Sequence, residues 1–226
     1  MAEEFVPALG KHWLTGMYDV AIALMTRERT WRRGLIKLIE PADGDVIVDV
    51  GAGTGTLAIA LKQRAPGARV IGIDPDRAVL EIARRKAARA SVSVEWIEAF
   101  GDEVADVLGA GTVQKAVSSL VFHQCPPIVK GKSLDSMRRV LRPGGRLSIA
   151  DYGLQRTALM RLLFRQVQNL DGWDNTTPNA KGELPLYIAR AGFAETEEID
   201  VIPTPTGSIS LYRAVAPREA RRRSSS

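Results

Sequence analysis

Residues 46–55, Val-Ile-Val-Asp-Val-Gly-Ala-Gly-Thr-Gly, constrain the fold of this 226-residue chain more than any other stretch. Val46 to Val50 is an apolar run of the kind that forms a strand buried on both faces of a parallel sheet. It carries one acid, Asp49, and passes into a turn holding Gly51, Gly53 and Gly55. Leu57, Ile59, Ala60 and Leu61 then predict a helix. A strand, a glycine turn and a helix in succession place a ligand across the carboxyl end of the strand. Glycine in such a turn lets backbone approach a ligand with no Cβ between them.

Dinucleotide-binding turns use Gly-x-Gly-x-x-Gly, with the amides of a helix N-terminus facing a pyrophosphate. Here the third glycine arrives one residue early, and Thr56 stands where that pattern wants glycine. Asp49 would repel a pyrophosphate and attract a cationic amino acid. S-adenosylmethionine carries such an ammonium group together with its sulfonium. The stretch resembles motif I of the class I S-adenosylmethionine-dependent methyltransferases.

Further segments extend the resemblance over about residues 44–151. Arg69 to Asp74 is a second apolar strand ending in an acid, 19 residues after Gly55. An acid at that place accepts the ribose hydroxyls of a nucleotide. Asp74-Pro75-Asp76 resembles motif II, which makes Asp74 the ribose-binding candidate. A helix is expected from about Asp76 to Ala90, with Val79, Leu80, Ile82 and Ala83 on its apolar side, and a third strand from Val92 to Ile97. The following Glu98-Ala99-Phe100-Gly101-Asp102 is where the family contacts adenine. Ala99 and Phe100 come first and Asp102 two residues later, so the side chain that reads adenine stays open. Val113 to Leu120 is a fourth strand, and Ser118 to His123 follows motif IV, with Lys115 where an acid is usual. Arg139 to Leu147, through Arg142-Pro143-Gly144-Gly145, reads as a helix end, a Pro-Gly turn and a strand from Leu147 to Ala150. The wording of these last two motifs is most similar to the quinone-biosynthesis and small-molecule branch.

The resemblance implies an α/β fold: a Rossmann-like, seven-stranded, mostly parallel sheet flanked by helices, its last two strands an antiparallel hairpin. The pair would be Ile199 to Ile202 and Ser208 to Val215, preceded by a helix from Gly182 to Gly192. It also implies an N-terminal helical extension over residues 1–43, a methyltransferase domain over 44–216 and a lid or substrate insertion near 152–192. In the lid, Leu159, Leu162, Leu163, Gln166, Val167 and Leu170 outline an amphipathic helix, read as core packing or as the wall of a substrate pocket. The cofactor, S-adenosyl-L-methionine, would be held by Asp49, Gly51, Ala52, Gly53, Thr54 and Gly55. Asp74, Pro75, Ala99, Phe100, Ser118 and Ser119 would complete the site, with Tyr18 near the methionine end or else an ordinary aromatic of the extension.

Composition agrees with one full core plus a small cap: 45% of residues are hydrophobic. The single cysteine, Cys125, allows no internal disulfide and suits a reducing, cytoplasmic setting. No apolar run reaches membrane-spanning length, and the acidic start Met1-Ala2-Glu3-Glu4 is unlike a signal peptide. Of the net charge of +5, residues 217–226 contribute +3. That stretch is read as a disordered basic tail, with no nucleic-acid partner expected. A homo-oligomer is compatible with the sequence.

Transfer of a sulfonium methyl is an in-line displacement, so catalysis rests on positioning the acceptor and removing its proton. His123, just past the fourth strand at the ligand-binding rim, is the first candidate base, its free pKa of about 6.5 suiting proton transfer near neutrality. The other reading is a histidine that hydrogen-bonds a loop. His12 in the extension and Asp151 after the fifth strand are further candidates, and no metal is expected. The Pro-Pro pair at Pro126-Pro127 lacks the loop that amino-nitrogen methylation of bases uses. The acceptor is therefore expected to be a small, partly apolar molecule: a quinone-type carbon, a phenolic oxygen or an amine. A non-catalytic cofactor-binding protein of the same fold and an NAD(P)-dependent oxidoreductase are the rival readings.

Overall fold

The computed structural model describes residues 27–218. Tyr18, His12 and most of the basic tail lie outside the described residues. Helix α1 (Glu28–Ile39) buries Trp31, Leu35 and Ile39, each a helical turn from the next. The chain then alternates strand and helix: β1 (Val46–Val50), α2 (Thr56–Arg64), β2 (Arg69–Asp74), α3 (Arg77–Arg89) and β3 (Glu95–Glu98). After the short α4 (Val104–Leu108) come β4 (Val113–Ser119), α5 (Pro127–Val140) and β5 (Leu141–Tyr152). Three helices follow, α6 (Ala158–Asp171), α7 (Trp173–Ala180) and α8 (Leu184–Arg190), before the hairpin of β6 (Ala194–Thr204) and β7 (Gly207–Val215).

These strands form one seven-stranded sheet in the order β3-β2-β1-β4-β5-β7-β6. β1 pairs parallel with both β2 and β4, while β7 runs antiparallel to β5 and β6. The order reverses between β1 and β4, and the ligand cleft of an open α/β sheet lies at the carboxyl ends of such a pair. Alternate side chains of β1 feed two cores: Val48 and Val50 pack on one face, and Ile47 packs on the other with α1, α2 and α6.

Local signals explain most of the boundaries. Asp76 caps α3, its carboxylate accepting from the Ala78 and Val79 amides. The third strand is shorter than expected, because Val92 to Val94 lead up to the pairing that starts at Glu95. The expected turn at Pro143-Gly144 is instead part of β5. Leu141 pairs with Val113, the register shifts before Lys115 pairs with Arg146, and Gly144 takes a φ of 77° while its amide donates to Ala216. The Pro-Gly pair thus forms a bulge in a continuous strand. β6 starts earlier than expected because its first half is acidic and solvent-facing, which hides the strand from a hydrophobic reading. Lys115 is structural: its ammonium donates to the Glu40 carbonyl and to Asp45, both at 2.5 Å, tying β4 to the approach to β1.

Most of the expected apolar stripe of α6 lies outside the core. Phe164, Val167 and Gln168 are its buried residues, whereas Leu159, Leu162, Gln166 and Leu170 are exposed. Of the residues expected to form that stripe, only Val167 is fully buried.

Candidate functional site

The glycine turn after β1 has been built for two different neighbours. A Cβ on Gly51 would stand 2.3 Å from Val121 Cγ2, and one on Gly55 would stand 2.4 Å from the Trp96 ring. Those two positions are closed by the protein's own side chains. At Gly53 the same Cβ would meet nothing within 4 Å, and φ is +53°. Gly53 is therefore the point at which the turn opens to a ligand.

The amides of the turn are largely consumed within the protein. Gly51 and Ala52 donate to the Ile73 carbonyl, Gly53 to Asp74 Oδ2 at 2.9 Å, and Gly55 to the Ala52 carbonyl. The Thr54 hydroxyl accepts from Lys86 on α3. A pyrophosphate would need those donors free. Asp49 lies at the same turn, wholly buried, and neither of its oxygens has a hydrogen-bond partner among the described residues. Burial pushes its carboxyl up to about 7 and Asp74 adds to the shift, while the charge of Arg32 of α1 and the approach of the Ala58 amide oppose it. An orphaned buried carboxylate is costly unless something charged or hydrogen-bonding meets it.

Asp74 ends β2, partly buried, and accepts from the Gly53 and Asp76 amides. Burial raises its pKa and the two amides oppose the rise. Pro75 carries the chain from this acid into the cap of α3. In the next segment Ala99 is buried and its amide reaches the Asp74 carbonyl, while Phe100 keeps 46% of its surface exposed. Asp102 lines a groove with Gly131, Lys132, Asp135 and Arg139 against α5. Of these three, Phe100 alone is a large apolar surface left in solvent.

Motif IV departs from the expected roles. Ser118 is fully buried and donates to the Val50 carbonyl at 2.8 Å, clasping β4 to β1. Ser119 is partly buried. Leu120 holds a φ of 55°, a strained conformation for a side chain of its size, which turns the chain over β5. Asp151, wholly buried at the end of β5, accepts from the Val121, Phe122 and Tyr152 amides and from His123 Nδ1 at 2.7 Å. On its other side His123 Nε2 faces Asp171 Oδ2 at 3.3 Å. Burial disfavours the charged imidazole, yet the two carboxylates outweigh it and hold the pKa up at about 9. The structure brings the two separately chosen candidates, His123 and Asp151, into direct contact, and the flanking carboxylates favour the protonated imidazole. Asp151, with its oxygens already bonded, positions that ring.

Sequence reasoning missed three members of this cluster. Lys130 is fully buried, its ammonium donating to the Asn175 carbonyl and to Asn179 Oδ1 at 2.6 and 2.9 Å. Asn179 in turn donates to the Tyr152 carbonyl. Asp171, at the end of α6, covers the free nitrogen of His123. The signal for Lys130 was its phase, since Lys130, Leu134 and Met137 fall on one helical face and all three are buried.

The residues fit a sulfonium nucleoside. The open position at Gly53 would admit it, the desolvated Asp49 carboxylate has no side-chain hydrogen bond, Asp74 has an acceptor edge for ribose, and Phe100 has an aromatic surface. Comparison with known proteins agrees. The family described as "Methyltransferase domain" matches residues 47–145. A demethylmenaquinone methyltransferase of Thermus thermophilus is 35% identical over 60% of this chain and 60% of its own length. A demethylmenaquinone methyltransferase of Clavibacter sepedonicus is 26% identical over 90% of this chain and 87% of its own. A ubiquinone/menaquinone biosynthesis C-methyltransferase of Paracoccus denitrificans is 30% identical over 65% of this chain, which spans 59% of that relative. Among solved structures, a SAM-dependent methyltransferase of Aquifex aeolicus superposes with a TM-score of 0.63 at 18% identity, covering 90% of this chain and 97% of its own. At that identity the likeness concerns the fold.

Proposed function

We propose that this chain is a class I S-adenosylmethionine-dependent methyltransferase, a reading supported by the methyltransferase-domain match over residues 47–145 and by its relatives, and that it methylates a ring carbon of a quinol-type acceptor. The relatives named above are quinone-pathway methyltransferases by description. The single observation that carries the reading is the buried Asp151–His123 pair at the rim of β4 and β5, covered by Asp171. A reduced quinone ring becomes a carbon nucleophile when a hydroxyl loses its proton and the ring takes up the charge. A cation held close to that oxygen is what such a step requires.

The cofactor supplies the activated methyl group. The chain's residues do the rest. Asp49 would hold the ammonium of the methionine portion and Asp74 the ribose, and Gly53 would leave room for the nucleoside against the turn. Asp151 fixes His123 through Nδ1, so Nε2–H is the end that reaches an acceptor oxygen. Asp171 gives up its contact with Nε2 and takes the hydroxyl proton. The new carbon–carbon bond uses a ring electron pair, and the ring proton then leaves to restore aromaticity. With the proton on Asp171 returned to the ring oxygen and the carbon–sulfur electron pair left on the departing thioether, the products would be the methylated quinol, S-adenosylhomocysteine and one proton. His12, a candidate on the acceptor side, and Tyr18, a candidate at the methionine end of the cofactor, lie outside the described residues.

The test is incubation with deuteromethyl-labelled cofactor and a chemically reduced, demethylated naphthoquinone, read by mass spectrometry of the product. Label on a ring carbon is the expected result. Label on oxygen, or transfer only to phenols and amines, would overturn the carbon assignment.

A further inference from the structure

Helix α6 turns its leucine ridge away from the protein. Leu159, Leu162, Leu170 and the adjacent Trp173 are 63, 57, 76 and 50% exposed. Leu162, Leu159, Gln166 and Leu170 share one side of the helix, opposite the buried Phe164, Val167 and Gln168. Arg165 borders that ridge on one side, and Arg161 stands one turn earlier and further round on that same side. Arg161 donates to the Gln155 and Arg156 carbonyls, and neither arginine has a carboxylate partner among the described residues. An apolar strip edged by arginines, with a tryptophan at its end, is the composition of a helix lying in a membrane interface.

Helix α1 packs on the same face of the sheet, since Trp31, Leu35 and Ile39 share a core with Phe164 and Val167. Arg29, Arg33 and Lys37 repeat along it at intervals of four and are exposed. Like charges so spaced oppose the helix that carries them. None of the three has an ion-pair partner among the described residues, nor does Arg64 of α2 across the groove. The groove between them holds about 720 Å³, and its one acid, Glu40, is engaged by Arg146. An unneutralised row of cations calls for an anionic surface.

We propose that the face built by α1 and α6 docks on an anionic lipid bilayer, the α1 cations over headgroup phosphates and the α6 leucine ridge among the first acyl carbons. A bilayer accounts for both features at once. A second copy would set cation rows against each other, and a ridge of four side chains falls short of the roughly 800 Å² per partner that a stable protein interface buries. The inference holds whichever small acceptor the site takes.

The experiment is flotation of the full chain with vesicles of neutral phosphatidylcholine and of an equal mixture with phosphatidylglycerol. Binding to the anionic vesicles alone, weakening as salt is raised, is expected. Arg33→Glu with Lys37→Glu should lower the binding about fivefold or more for each reversed charge, and Leu159→Glu with Leu162→Glu should also release the protein. The two pairs sit on different helices, so a folding defect in one leaves the other to decide, and cofactor titration identifies such a defect. Absence of binding to anionic vesicles, or binding unchanged in both pairs, overturns the proposal. A dimer in light scattering that dissociates on the leucine substitutions would assign the ridge to a second copy and overturn it as well.

Discussion

In the proposed cofactor turn, Gly53 contributes open space and Asp49 a desolvated carboxylate. Gly53→Val places branched carbons into the only open glycine position of the turn and adds strain at a positive φ. Cofactor binding should be lost while the cooperative unfolding transition is retained, as calorimetry and circular dichroism would show. Asp49→Asn acts in opposite directions on two observables. Removing a buried charge with no partner should stabilise the ligand-free protein by about 1–3 kcal/mol, while weakening cofactor binding by a similar amount. A rise in the thermal midpoint with undiminished affinity would detach Asp49 from the ammonium. Asp74→Ala should cost about 1–3 kcal/mol of cofactor affinity through lost hydrogen bonds to a charged group. His123→Gln keeps a neutral side chain able to donate but removes the cation. Turnover should fall about 10²-fold with cofactor affinity intact, and a change of only a few-fold would return His123 to a structural part.

The connections between β4 and α7 form a single polar clamp, and its members differ in how visible they were from the chain alone. β1, β2 and the glycine turn were legible because buried parallel strands are continuous apolar runs and glycine spacing is a backbone requirement. The Pro143-Gly144 bulge was not, since a bulge and a turn use the same residues and only pairing with β4 and Ala216 distinguishes them. The α6 stripe was legible as a helix and read as core packing or a pocket wall, and the structure packs Val167 in the core while exposing Leu159, Leu162 and Leu170. Periodicity locates an apolar face, whereas what covers it depends on tertiary placement. Ser118 and Lys115 match or break the motif in sequence, yet both serve the joints of the sheet. Lys130 joins α5 to α7 through Asn175 and Asn179, so Lys130→Met should lower the thermal midpoint by an amount equivalent to about 1–3 kcal/mol. Cofactor affinity should change little, because the glycine turn lies at another joint.

For the molecule as a whole, His123 makes stability depend on pH. Its folded pKa of about 9 lies above the ordinary 6.5, so the folded state binds the proton more tightly than the unfolded chain. This contribution is complete below 6.5 and is lost as pH rises through 9. Urea unfolding across that window should show falling stability with rising pH, and His123→Gln should flatten the slope. The sheet brings Asp49, Gly53 and Asp74 to one end and sets the Asp151–His123–Asp171 cluster at the rim of the neighbouring strands, the arrangement a cofactor and an acceptor need to meet. The most direct measurement is calorimetric titration of the full chain, and of Gly53→Val, with S-adenosylmethionine, S-adenosylhomocysteine and NADH. The account predicts micromolar binding of both sulfur nucleosides to the parent chain, none to Gly53→Val and none of NADH to either. Binding of NADH, or a Gly53→Val variant that takes up S-adenosylmethionine as the parent does, would contradict it.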